Sequence, residues 1–134
     1  MSIPNLPGIS FHSGKERKTA RWNFAEQMLH IAQSNVFFAS SFLGGTDAPD
    51  RDYTAEGKSK EETAELLEEA FDYCSSVLSS LTDEQLHEEV ETFAGVLPMN
   101  EIVLFMRDHV THHRGQSVVY LRLNGIVPPT YVGA

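Results

Sequence analysis

An all-α helical bundle is the fold this sequence predicts, and three observations predict it. Three long segments repeat apolar residues at three- and four-residue steps, stretches rich in glycine, proline and aspartate separate them, and no segment alternates well enough to be a strand. At 134 residues and 15.0 kDa the chain has room for one domain, 1–134, and 41% hydrophobic residues are enough to build a core.

Residues 1–16 hold Pro4, Pro7, Gly8 and Gly14 with no sustained period, which predicts an irregular N-terminal arm. From about residue 17 to residue 42, Trp22, Ala25, Leu29, Ala32 and Val36 recur at helical spacing, with Met28, Ile31 and Phe38 widening the apolar face. This helix is expected to end before Gly44 and Gly45, and residues 44–58, rich in Gly, Asp, Thr and Pro, read as a surface loop. Ser59 with Glu62 forms a capping box, and the helix it opens runs to about Ser80 on a buried stripe of Leu66, Leu67, Ala70, Phe71, Cys74, Val77 and Leu78. Thr82 with Gln85 repeats the signature for a short helix at 82–87, whereas 88–97 alternates only weakly and reads as a connection. The last helix starts near residues 98–100 and runs to Asn124, with Gly125 in the C′ place and Pro128-Pro129 blocking continuation.

Charge narrows the partners. Ten Lys and Arg against 19 Asp and Glu give a net charge of -9, which repels phosphate backbones and anionic lipid, so nucleic acid and membrane surfaces are not expected partners. One cysteine, Cys74, cannot build an internal disulfide framework, and the start MSIPNLPGISFH lacks the pattern of a signal peptide. A reducing, cytoplasmic setting is the expectation. No stretch approaches the roughly 18 uncharged apolar residues that would span a membrane.

Function is concentrated in the run HVTHHRGQ at 109–116. On a helix of about 3.6 residues per turn, His109 and His113 lie one above the other and can offer two imidazole nitrogens to one ion. Ile102, Phe105, Gln116, Tyr120 and Leu123 fall within about 40° of the same face, so the stripe is apolar at its ends and polar in the middle. His30, mid-helix in AEQMLHIAQ and on the face of Glu26 and Phe37, is the best third ligand from a separate helix. His12 sits in the irregular arm, His87 follows a polar turn, and His112 points about 60° away from His109. Three neutral imidazoles suit zinc, nickel, copper or iron better than magnesium or calcium, and they leave a coordination position for chemistry. The competing reading is a polar core, with His109 and His113 hydrogen-bonded to Glu26, Gln116 or Tyr120 and His30 an ordinary helix residue. Cys74 reads as a small buried hydrophobe, and Gly115 as the mark of a closely approaching helix.

Residues 20–43 and 99–129, above all LHIAQ and DHVTHHRGQSVVYLRLNGIVPPTY, resemble the DinB-like (YfiT-type) superfamily of metal-binding four-helix bundles. The resemblance implies an up-down bundle, usually dimeric, that takes one histidine from an earlier helix and a His-x-x-x-His pair from the last, here His30, His109 and His113. It implies a divalent transition metal, zinc or nickel first and iron or manganese next, and in some members a low-molecular-weight thiol such as bacillithiol or mycothiol as cosubstrate. The family usually has a long helix ahead of its first histidine, which residues 1–16 do not supply.

Two function classes follow. One is a metal-dependent hydrolase or thiol transferase acting on a small-molecule substrate, the metal lowering the pKa of a water or thiol and Glu26, one turn before His30, serving as general base. The other is a non-catalytic bundle that binds a small molecule or holds a structural metal. Three long helices with broad apolar stripes close incompletely, so a homodimer is expected to cover the groove left by the missing first helix.

Overall fold

The computed structural model describes residues 23–131, so the expected arm at 1–16 and the start of the first helix lie outside the described residues. Within them the order is α1 (Phe24–Phe42), α2 (Lys60–Ser80), α3 (Asp83–Leu86), β1 (Glu89–Thr92), β2 (Gly95–Pro98) and α4 (Met99–Leu123).

Caps set the helix limits. The described part of the first helix, α1, begins at Phe24, where Asn23 has extended backbone and caps it reciprocally: Asn23 Oδ1 accepts the Glu26 N–H at 2.9 Å and Glu26 Oε2 accepts the Asn23 N–H at 3.3 Å. Ser59 with Glu62 caps α2, and Thr82 with Gln85 caps α3, both as their sequences predict. α4 ends in a complete Schellman motif, in which the Ile126 N–H reaches the Leu121 carbonyl at 2.9 Å and the Gly125 N–H reaches that of Arg122 at 3.1 Å. Gly125 takes φ 72°, a left-handed value that a side chain resists.

The expected connection at 88–97 is instead a β-hairpin, with Val90 paired to Leu97 and Thr92 to Gly95 around Phe93 and Ala94. The weak alternation is sufficient because Val90 and Leu97 rest on the bundle core, and Thr92 Oγ1 closes the turn by donating to the Gly95 carbonyl and accepting the Ala94 N–H.

α1 is the central element and packs against both α2 and α4. Against α2 it presents Ala32, Val36 and Ala39; Ala32, Ala39 and Ala70 are wholly buried, and their small side chains let the two helices approach closely. The chain then turns under α2 at Gly45, where a Cβ would collide with the Tyr73 hydroxyl, the Ala39 carbonyl and a Val77 methyl. Against α4, α1 runs antiparallel: Phe38 meets Phe105 at one end, and Gln27 meets His113 at the other. The main core gathers Phe38, Ala39, Leu43, Cys74, Val77, Ile102 and Met106. Leu43 is 1% exposed, and burying such a side chain stabilises by roughly 1.5–3 kcal/mol.

Three sequence expectations are corrected. Phe71 is exposed, because α2 faces α1 through Thr63, Ala70, Cys74 and Val77, and Phe71 falls off that row. On α4 the buried row is Ile102, Met106, His113 and Ser117, so Phe105, Gln116 and Leu123 lie at its exposed margin and His109 is half-buried. Gly115 marks no close helix, since a Cβ built there meets nothing within 4 Å.

Candidate metal centre

The polar end of the α1–α4 interface gathers the three histidines singled out by spacing. α1 places Gln27 and His30 one turn apart, and α4 places His109 and His113 one turn apart on the facing helix. Helix geometry alone aligns each pair. His30 Nε2 lies 3.1 Å from His109 Nε2, and His113 Nε2 lies 3.2 Å from the same atom. One ligand atom from each residue falls within 4.8 Å of the others, and no Cys, Asp or Glu joins the group among the described residues.

Hydrogen-bond chemistry makes this convergence informative. His113 donates from Nδ1 to Gln27 Oε1 at 2.7 Å, so its Nε2 carries a lone pair aimed into the cluster. With that lone pair fixed, only one of the two short contacts at His109 Nε2 can be a full N–H···N bond. The other shares that proton at best, with Ser34 Oγ a further neighbour of His30 Nε2 at 3.5 Å. A cation would engage all three Nε2 lone pairs at once. Four tetrahedral nitrogens at the usual 2.0–2.1 Å from zinc stand about 3.4 Å apart, close to the two separations found. The donor set therefore fits a divalent transition ion.

The surroundings keep the rings uncharged. His113, 7% exposed, is pushed down to about 4, first by burial and then by its neighbours His109, His30 and His112. Burial is also the larger cause lowering His30, with His109 adding to it, and the larger cause lowering His109, with His112 adding to it. Neutral imidazole is the ligating form. Phe105 stacks near-parallel to His109, its centroid 6.3 Å away, and Phe38 lies at the same distance. These rings join Phe42 and Phe93 in an apolar wall at one side of the centre.

The remaining sequence candidates are dispersed. Glu26 engages its carboxylate in the α1 cap. His112 is exposed and meets Gln116 Nε2 at 3.2 Å, and His87 bonds the Asp83 carbonyl through Nδ1. His12 lies outside the described residues. The Arg114 guanidinium sits 4.8 Å over the Tyr131 ring, tying the tail to α4. Cys74 is buried, and burial pushes its thiol up, as a packing residue requires. Sequence reading missed Gln27, 4% exposed and bonded to both His113 and Gln116. The available signal was an amide three residues before His30, on the face that carries that histidine.

Fold and site together define a helical bundle able to hold a metal ion on three histidines. The DinB family profile matches residues 3–133, and the chain belongs to the DinB family. Its fold is similar to that of a DinB-like protein from Bacillus subtilis, at TM-score 0.65 and 24% identity over 89% of this chain and 79% of that one. A DinB-like protein from Bacillus cereus is also similar, at TM-score 0.62 and 20% identity over 83% of this chain and 75% of that one. No curated protein matches the sequence. Among the described residues no helix is long and apolar enough to cross a membrane.

Proposed function

We propose that this chain is a metal-dependent enzyme, a hydrolase or a transferase of a low-molecular-weight thiol, with His30, His109 and His113 as the ligands of one divalent ion. The observation that carries the reading is the convergence of three imidazole Nε2 atoms, with separations of 3.1 and 3.2 Å around His109. Zinc or nickel is the expected ion, then iron or manganese, since imidazole donors suit zinc, nickel and iron best. When bound, such an ion supplies Lewis acidity that lowers the pKa of a water to near neutrality or deprotonates a thiol. The chain's own residues do the rest. His109 and His113 on one helix and His30 on another hold a fixed triangle, and the Phe38–Phe105 wall excludes water from one side and faces the apolar part of a small electrophilic substrate. Glu26, one turn before His30, accepts the proton. Its 3.3 Å capping contact is a long hydrogen bond that leaves the carboxylate available.

The net charge of -9 favours a small-molecule substrate over nucleic acid. A homodimer in the cytoplasm completes the reading, with the exposed Phe24, Leu104 and Val119 as candidates for burial against a second copy. Elemental analysis should find one metal ion per chain, and light scattering a mass near twice 15.0 kDa. Metal-loaded and metal-free protein should then differ across ester, amide and thiol-conjugation substrates. Absence of stoichiometric metal in loaded wild-type protein, or equal rates for both forms in every assay, overturns the enzyme reading.

A further inference from the structure

We propose that Gln27 is a positioning residue of the three-histidine centre: it holds His113 as the Nδ1–H tautomer, so that Nε2 presents its lone pair, and Gln116 in turn orients Gln27. This rests on the metal-binding reading above.

The residues form a chain with a single polarity. His113 Nδ1 donates to Gln27 Oε1 at 2.7 Å, Gln27 Nε2 donates to Gln116 Oε1 at 2.8 Å, and Gln116 Nε2 donates to His112 Nε2 at 3.2 Å. Every donor in the chain meets an acceptor. Turning over the Gln27 amide alone would set its oxygen against Gln116 Oε1 and its NH2 against the Nδ1–H of His113. Turning over both amides would move the His113 proton to Nε2, where it points at His109 and blocks a ligand bond. Only the first polarity turns the His113 Nε2 lone pair toward His109 and His30. A helix-interior glutamine with both amide atoms engaged, 4% exposed beside Leu29 and Ile31, is held in one orientation by this demand.

The arrangement also gives Gln116 a role in the HHRGQ run. It stands three residues after His113 and four after His112, so it reaches across to α1 from the exposed margin of α4 while the buried row stays packed. Two amides on two helices, Gln27 and Gln116, therefore orient the His113 imidazole. Removing such a partner lowers metal affinity by about 10–100-fold.

The test uses full-length protein with 15N-labelled histidine, wild type beside Gln27→Met, Gln27→Glu and Gln116→Ala. Long-range 1H–15N correlation reads the His113 tautomer without metal, and chelator competition reads the Kd for zinc. In the wild type His113 should be Nδ1–H. Gln27→Met, of similar size but lacking the amide, should lose that single tautomer and bind zinc about 10–100-fold more weakly, whereas Gln27→Glu keeps the acceptor and should restore both readouts. Gln116 is exposed, so Gln116→Ala should fold like the wild type and lose part of the tautomer preference, which keeps the proposal testable if Gln27→Met fails to fold. A His113 that is Nε2–H in the wild type, or whose tautomer and zinc affinity survive both Gln27→Met and Gln116→Ala, overturns the proposal. A wild type that binds no zinc yet holds His113 as Nδ1–H, and loses it in the variants, supports the positioning role and sinks the metal reading instead.

Discussion

Along the α1–α4 interface, Phe38, Ala39 and Leu43 gather with Ile102 and Met106 at one end, while Gln27 and His30 meet His109 and His113 at the other. The same two helices make both ends, so the backbone does not distinguish them. At the apolar end each contact is complete in itself, since aliphatic and aromatic surfaces need only exclude water. At the polar end the nitrogens need directed partners, and a second layer, Gln27 and Gln116, is spent on orienting one imidazole. Burying such a cluster without a ligand adds little stability relative to well-packed aliphatic side chains. Stability should therefore reside at the first end and ligand binding at the second.

The largest effect should come from His113→Ala, which ought to abolish stoichiometric metal after dialysis while leaving the helical circular dichroism intact. Retention of a full equivalent of metal by this variant would show that the two ends do not divide their work in this way. Leu43→Ala is the counterpart at the apolar end. It should lower unfolding free energy by about 2–5 kcal/mol in denaturant titration, yet keep one metal per folded chain. Loss of metal from folded Leu43→Ala protein would mean that the two ends are coupled.

A pH series sharpens the contrast. His113 titrates near 6.5 when unfolded and is pushed down to about 4 in the fold, so between these values the unfolded chain binds the extra proton and the native chain does not. This contribution to metal-free stability is whole above about 6.5, falls as pH drops, and levels off below about 4, with His30 and His109 adding in the same direction. Leu43→Ala should shift that curve down without changing its slope, whereas His113→Ala should flatten it. Equal slopes for wild type and His113→Ala would place the proton uptake elsewhere.

Much of this was legible in the sequence. The Ser59 and Thr82 caps, the end of α1 before Gly44, and the Gly125 stop are local signals, written in adjacent residues and read correctly. The coming together of His30, His109 and His113 was legible because helical spacing aligns the pair on α4 and only one mid-helix histidine remained for α1. The failures concern tertiary context. The hairpin at 89–98 has too little alternation to announce itself, and it forms because Val90 and Leu97 find the core. The rotation of α4 that buries Met106 and exposes Phe105 depends on which row faces α1, a choice that a helical wheel leaves open within one residue. Gln27 was overlooked because an isolated amide carries no spacing pattern. Its partners lie 86 and 89 positions away.

The smallest change to the fold, and the finest test of the polar end, is Glu26→Gln. Glu26 has a structural task in the α1 cap, accepting the Asn23 N–H at 3.3 Å, and a proposed chemical task one turn before His30. Glutamine serves equally at this position of a capping box, so the unfolding free energy should move by less than about 0.5 kcal/mol, against about 1 kcal/mol for Asn23→Ala, which removes the cap itself. A general base tolerates no such exchange. Metal stoichiometry should stay at one per chain while metal-dependent turnover drops by about 10²–10⁴-fold. Unchanged turnover in Glu26→Gln would confine Glu26 to capping and leave the proton to another group. A stability loss as large as that of Asn23→Ala would show instead that the carboxylate charge at the α1 N-terminus, rather than the hydrogen bond, is what holds this end of the helix.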